Sequence, residues 1–476
     1  MSQMANYIRL GAYWGKKTEG TPSQIPFWRR YNIVTIPRKF NVSIKTRIAI
    51  ADGYRIIAIA IVTRDLGPIR AQGLDFVDAY KIATRKDTWA LDNNECYKVD
   101  WIHLEVGKVF EIKCRTGITN IGDKFVPQIE ALIRDWTVKS EGTRKMNHLA
   151  DLLQTSKNLI LTGAPGTGKT YRARQIAQKL IFGENWTLKK ESEFNPEEKN
   201  EFDQRFEFVQ FHPSYDYTDF VEGLRPKKPD GSGNIGFERK DGTFKKFCEE
   251  ARKECKYKDK DNREYDEASK KFVFVIDEIN RGEISKIFGE LFFAIDPGYR
   301  GVAGKVLTQY ANMQDGSDDE KKKFYVPENV YIIGTMNDID RSVESFDFAM
   351  RRRFVWEEIK AWETTEDKTN IVSMLDELDQ IKDGLTKDAV NHLVKLNQAI
   401  WNDEGDGGKG TGIDGLSSSF HIGGAYFLKL KNYNGDFRDL WKYHLEPLLR
   451  EYLRGMPEEK DNLGKLKAAY ESANNG

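Results

Sequence analysis

Three runs of consecutive apolar residues stand out along the chain: Leu159-Ile-Leu161, Phe272-Val-Phe-Val-Ile276 and Val330-Tyr-Ile-Ile333. Such runs, without polar alternation, predict strands buried on both faces, as in a parallel sheet covered by helices. Directly after the first run, Ala173, Ile176, Ala177, Leu180 and Ile181 recur at helical spacing. A strand from Phe206 and a helix near 244–253 are also expected, with charged surface insertions at 189–205 and 256–271 and a Gly/Lys-rich excursion at 227–241. Beyond residue 360, Leu375–Leu385, Ala389–Ile400 and Trp441–Leu453 repeat the helical spacing, interrupted by a glycine-rich loop at 405–415. Before residue 135 the rhythm differs. Short β-branched and aromatic runs (Tyr31–Ile36, Ile44–Ile50, Arg55–Thr63, Phe110–Cys114) alternate with the turn signals Asp52-Gly53 and Gly67-Pro68. A helix-like segment at Gln128–Trp136 and a polar stretch to about Asn147 follow. Three domains are expected: a β-rich 1–140, an α/β 148–360 and a helical 361–476.

The first apolar run leads straight into Gly163-Ala164-Pro165-Gly166-Thr167-Gly168-Lys169-Thr170. Strand, glycine loop and helix together make a phosphate cradle, in which backbone N–H groups and the helix's positive end meet phosphate oxygens. Lys169 is expected to neutralise the β/γ-phosphates, and Thr170 to offer its hydroxyl to Mg²⁺. The second run ends in Asp277-Glu278. Strand ends are where ligands bind in such sheets. Asp277 is therefore expected in the Mg²⁺ shell and Glu278 as the carboxylate that polarises the attacking water. Asn337, just past the third run, is placed to orient that water. Asp347 opens a segment ending in Arg351-Arg352-Arg353. Three adjacent arginines point in different directions, so at least one is free to reach a neighbouring subunit. Taken alone, they read equally as a basic helix end facing solvent.

Charge is unevenly spread. Residues 1–140 hold 22 Lys+Arg against 14 Asp+Glu, a surplus of 8 that the remaining chain cancels. A basic module on an acidic body suits contact with a polyanion, although scattered surface charge gives the same sum. Trp14, Trp28, Trp89 and Trp101 stand among basic residues, where indoles stack on bases or simply fill a core. Asp100 with Glu111-Ile-Lys113 matches the spacing of a metal nuclease; an alternating strand with one solvated face explains it as well. Cys96, Cys114, Cys248 and Cys255 form no Cys-x-x-Cys pair, and no apolar run approaches membrane-spanning length. A soluble, cytoplasmic protein is expected.

The motifs Gly163–Thr170, Phe211-His-Pro-Ser-Tyr-Asp-Tyr217, Asp277-Glu-Ile-Asn-Arg-Gly282, Gly334-Thr-Met-Asn-Asp-Ile-Asp-Arg-Ser342 and Asp347–Phe354 resemble those of the McrB family of AAA+ motors. Two places depart from that pattern: Asp338-Ile339 stand for Thr-Ala, and Gly424-Ala425 for His-Ser in the lid motif Ser419–Phe427. The resemblance implies a P-loop domain, its parallel sheet sandwiched by helices, with an α-helical lid and a variable DNA-choosing domain in front. It also implies a hexameric ring that hydrolyses GTP with Mg²⁺ and activates a separate, McrC-like endonuclease subunit. Arg352 or Arg353 would act in trans, with Asp347 setting the interface. No residue distinguishes GTP from ATP on chemical grounds. The rhythm of residues 1–140 is similar to the small barrels of the PUA/EVE-like group, which read nucleic acid. The chief rival is an AAA+ ATPase that remodels proteins; a nucleotide switch and a self-contained nuclease are the other classes.

Overall fold

The computed structural model describes residues 7–11, 23–38, 40, 42–52, 54–72, 77, 94–104, 109–112, 118–121, 123–183, 186–227, 236–258, 265–314, 319–339, 348–362, 371–372, 374–403 and 410–475. The chain divides into two compact units, 1–140 and 141–476.

The first unit is built on a curled half-barrel sheet. Its strands are β1 (Tyr7–Gly11), β2 (Ile33–Pro37), β3 (Arg47–Asp52), β4 (Arg55–Pro68), β5 (Asn94–His103), β6 (Phe110–Glu111) and β7 (Ile118–Asn120). They lie in the order β2-β5-β4-β3-β1-β7, with β6 also on β4, and β1 pairs β3 in parallel. Alternate residues feed two cores. Ile48, Ile50, Ala58 and Ala60 pack with Trp28 of the helix Ile25–Tyr31, while Ala49, Ala51, Ile56 and Ile59 pack with Ile129 and Ile133. A sheet covered on both faces explains why β4 begins as an almost unbroken apolar run. Gly67 is not a turn between strands. It sits at a register shift inside β4 with φ +75°, where its N–H is held by Asp65.

Trp28 belongs to the core: it is fully buried and its Nε1 donates to Thr35 Oγ1 at 3.0 Å. Trp101 is half-buried, and Trp14 and Trp89 lie outside the described residues. The nuclease reading fails on register. Asp100 stands opposite Ile61 of β4, whereas Glu111 stands opposite Arg55, six positions along the same strand. That is about 20 Å, too far for one metal ion. Both carboxylates are exposed, and Lys113 lies outside the described residues.

One continuous helix, Val126–Ser156, replaces the expected short helix and polar stretch. In the second unit β8 (Asn158–Thr162), β9 (Phe206–Gln210), β12 (Phe272–Asp277), β13 (Val330–Thr335) and β14 (Val355–Glu358) form a parallel sheet in the order β14-β8-β13-β12-β9. Val273, Val275, Tyr331 and Ile333 face the helix Lys169–Phe182, and Phe274, Ile276 and Ile332 face Phe244 and Phe288 on the other side. Within the expected excursion at 227–241, β11 (Phe237–Asp241) turns back as a hairpin on β10 (Glu222–Pro226). Its base is a buried ionic cluster in which Lys245 and Arg239 both donate to Glu222 and Asp241. Residues 196–205, expected as surface loop, form a helix because Asn195 and Glu198 cap it reciprocally behind Pro196.

The lid has its own core, in which Leu393, Leu396, Phe427, Leu449, Leu453 and Leu466 meet. Its helices are Leu385–Ile400, Glu446–Leu453 and Glu459–Glu471, with a single π turn at Trp441–Leu445 leading into the second. The expected helix over 375–385 is instead a 3₁₀ turn, Asp376–Gln380. Gly384 breaks it at φ +79°, and Asp379 accepts the Thr386 N–H at the start of the next helix. Among the described residues no helix is long and apolar enough to cross a membrane, and Cys96, Cys248 and Cys255 are free thiols.

Candidate nucleotide site

The site gathers at the carboxyl ends of β8, β12 and β13. Gly163, Gly166 and Gly168 adopt φ of +137°, +78° and +90°, conformations that side chains resist, and so curl the loop into the helix that starts at Lys169. Thr167 Oγ1 donates to Ala164 O at 3.0 Å and braces the curve. Lys169 is buried; its Nζ donates to Gly163 O at 2.9 Å and Ala164 O at 2.8 Å.

Asp277 ends β12 and accepts the hydroxyls of Thr170 at 2.7 Å and Thr335 at 2.6 Å on one oxygen. A carboxylate and a hydroxyl in contact are the hard oxygen donors that Mg²⁺ selects. Thr335 escaped the sequence reading; its signal is its position in the Gly334-Thr-Met-Asn337 strand end. The chain then turns sharply, with Glu278 in the left-handed region (φ 52°, ψ 45°). The turn directs Glu278 away from Asp277 and toward Asn337, whose Nδ2 donates to Glu278 Oε1 at 2.8 Å. Arg281 Nε reaches the other oxygen at 3.3 Å. Asp338 is next. Its N–H donates to Gly163 O at 3.4 Å, and burial pushes its pKa up against the opposing pull of Lys169.

The structure brings Gly163–Thr170, Asp277, Glu278 and Asn337 into one site. Asp347 lies outside the described residues. Arg353 is only 6% exposed, lies over the Phe292 ring at 4.1 Å, and gives its carbonyl to Asn158. Arg351 lies 5.3 Å from the Trp356 ring, and Arg352 is exposed. The Phe211–Tyr217 motif serves the fold instead: Phe211 is buried, Asp216 caps the turn Tyr217–Phe220, and Tyr217 donates to Glu290 at 2.5 Å.

The lid closes directly on the phosphate loop through backbone groups. The N–H groups of Gly423 and Ala425 donate to Pro165 O and Gly166 O, each at 3.0 Å. The Tyr426 ring closes over Gly166, where an added Cβ would come within 3 Å of it, and the Met374 methyl lies over Gly168.

Residues 158–354 match the AAA domain of the dynein-related subfamily, and residues 388–461 match the McrB alpha-helical lid domain. Residues 158–461 form an AAA domain followed by an α-helical lid similar to that of McrB. The chain is 34% identical over 310 residues to the type IV methyl-directed restriction enzyme EcoKMcrB subunit of Escherichia coli (strain K12), covering 64% of this chain and 52% of that one. It is 28% identical over 232 residues to the type II restriction enzyme BsuMI component YdiS of Bacillus subtilis (strain 168), covering 46% and 61%. It thus spans about half to three-fifths of these relatives. NtrX from Brucella abortus aligns with 13% identity over 72% of this chain and 73% of that one, at a TM-score of 0.26, too low to bear on function.

In this lid the departure at Gly424-Ala425 costs no backbone contact, because Ala425 works through its N–H. Gly423 is the constrained position: an added Cβ would collide with the Gly166 carbonyl. Gly423→Ala should therefore hold the lid off the loop and weaken nucleotide affinity about tenfold or more, with the melting temperature little changed. Titration of nucleotide against both proteins checks this.

Proposed function

We propose that the chain is an oligomeric nucleoside triphosphatase, taking GTP in preference to ATP, which reads DNA through residues 1–140. Its hydrolysis drives translocation or the activation of an McrC-like endonuclease in modification-dependent restriction in the cytoplasm. The observation that carries the hydrolase reading is the Asn337–Glu278 pair beside Asp277 and the phosphate loop. A carboxylate that served only as a structural cap would not need this amide to orient it, nor a strained turn to aim it.

Thr170 and Asp277 would hold Mg²⁺, which supplies charge neutralisation on the phosphates when bound. Lys169 would leave the Gly163 and Ala164 carbonyls to hold the terminal phosphates. Glu278 would accept a proton from the attacking water, and Asn337 would keep that carboxylate aimed. The lid, seated on Pro165 and Gly166, would exclude bulk water. GTP over ATP rests on likeness to McrB alone. The test is side-by-side hydrolysis of GTP and ATP with and without modified DNA. Stimulation by DNA supports the proposal, whereas stimulation by protein without DNA binding supports a remodelling ATPase.

The DNA reading rests on the surplus of 8 positive charges in residues 1–140, which form a unit with two cores of their own. The fragment should bind DNA with a log–log salt slope of about −4 to −7, as for several phosphate contacts. Deleting it should abolish DNA binding and leave basal hydrolysis. Undiminished DNA affinity of the truncated motor, measured by fluorescence anisotropy, would move the DNA site elsewhere.

A further inference from the structure

The Phe211–Tyr217 motif has an outward side that the nucleotide site does not use. His212 and Tyr215 line a cleft of about 470 Å³ together with Arg225 and Lys240 of the β10–β11 hairpin and Lys246 of the helix Thr243–Lys253. Its walls are pinned by the fold. The Phe211 N–H donates to the Asp277 carbonyl at 3.0 Å, and the Gly242 N–H to Val221 O at 2.6 Å. A Cβ on Gly242 would strike the Phe220 backbone, so the chain segments on either side of the cleft are in direct contact at its base. The recess is preformed, and a ligand entering it does not have to order it.

The carboxylates that line the cleft are already matched. Asp219 accepts from Arg225, and Asp241 accepts from Arg239 at 2.8 Å and Lys245 at 2.9 Å, neither of which lines the cleft. The cations are not all matched in turn. Lys240 pairs with Glu238 at 3.0 Å, but Lys246 has no hydrogen bond or ion pair with any described residue. His212 Nδ1 accepts the Ser214 N–H at 3.3 Å, which leaves Nε2 as the ring's donor. Ammonium groups and an imidazole N–H facing one recess suit carboxylate or phosphate oxygens.

Shape and surroundings choose between the two. Duplex DNA presents its phosphates in a row along a stiff rod, which spans a narrow recess instead of entering it. Beyond the opening it would also lie against an acidic body, since residues 141–476 hold 52 Lys+Arg against 60 Asp+Glu. A short peptide sends one or two carboxylate side chains into the recess, where the nearby cations outweigh charges lying more than a Debye length away.

We propose that this cleft docks an acidic segment of a partner protein. Lys240 and Lys246 receive its carboxylates, and His212 donates from Nε2. The Phe211–Asp277 hydrogen bond sets the occupant beside the strand end that carries the candidate nucleotide site.

The test is fluorescence anisotropy of a fluorescein-labelled hexaglutamate peptide titrated with the full chain. The wild type should bind it, and Lys246→Glu should weaken binding about fivefold or more, because an attraction becomes a repulsion. Lys253→Glu makes the same charge change on the same helix, at an exposed residue outside the cleft, and should shift the affinity by less than about twofold. If Lys246→Glu does not melt cooperatively, Lys240→Glu, on the hairpin, takes its place. Failure of the wild type to bind the peptide, an unchanged affinity in the cleft variant, or an equal loss in Lys253→Glu would each overturn the docking site. A labelled duplex oligonucleotide, titrated in parallel, should bind wild type and cleft variant alike. Loss of duplex binding in the cleft variant would make the cleft a nucleic-acid contact and overturn the proposal as well.

Discussion

Glu278→Gln should bind nucleoside triphosphate as tightly as the wild type and turn it over about 10²–10⁴-fold more slowly, the span that a positioned general base contributes. The amide keeps the shape of the side chain and an oxygen facing Asn337 Nδ2. What it lacks is basicity toward water. Lys169→Ala should fail differently. Losing the buried ammonium removes the charge that offsets the phosphates, so binding itself should disappear. The two variants thus separate binding from chemistry. Equilibrium binding and single-turnover hydrolysis on the same preparations check both. A Glu278→Gln protein turning over at the wild-type rate would remove Glu278 from the mechanism.

The second large effect concerns assembly. On the proposed reading Lys169 would cover one side of the transferred phosphoryl group, and charge developing on the other side would need a cation from elsewhere. An arginine supplied in this way is worth about 10³–10⁵ in turnover in related phosphoryl transfers. Within the subunit Arg281 is engaged with Glu278, and Arg353 is packed under Phe292. Arg352, exposed past the short helix Phe348–Arg351, is the side chain placed to leave its own subunit. Arg352→Ala should therefore lose activity by about that factor, whereas nucleotide binding persists. Mixing it with Lys169→Ala should restore part of the activity. Some interfaces in mixed rings join a sound pocket to a sound arginine. Turnover of the separate and mixed proteins, measured against concentration, decides the matter. A dilute monomer hydrolysing as fast as the assembled protein would refute action in trans.

The central sheet was legible in the sequence because β8, β12 and β13 are buried on both faces and read as unbroken apolar runs. β14 was not, since Val355-Trp-Glu-Glu358 is short, mixed and lies at the sheet's edge. In the first unit, β1, β5 and β7 carry too much polar alternation or too few residues to stand out. The helix Pro196–Arg205 had a written start signal in Asn195-Pro-Glu-Glu198, but its ten residues bury only Phe202 and Arg205, so the charge dominated the pattern. The site divided along similar lines. Lys169, Thr170, Asp277, Glu278 and Asn337 announce themselves by side chain and strand end. The lid's grip on Pro165 and Gly166 comes from the N–H groups of Gly423 and Ala425, which leave no mark in residue type. Adjacent arginines give no hint of which turns inward; only packing showed that Arg353 does.

The left-handed turn at Glu278 has a consequence for how such a chain persists. A non-glycine residue there carries about 1–2 kcal/mol of backbone strain, which glycine would relieve. If Glu278 is the base proposed above, random substitution toward a more stable molecule runs through its loss, as expected where activity and stability oppose each other. Selection for folding alone would erode this position. On the reading proposed above, only a demand for turnover keeps a glutamate where the backbone prefers none.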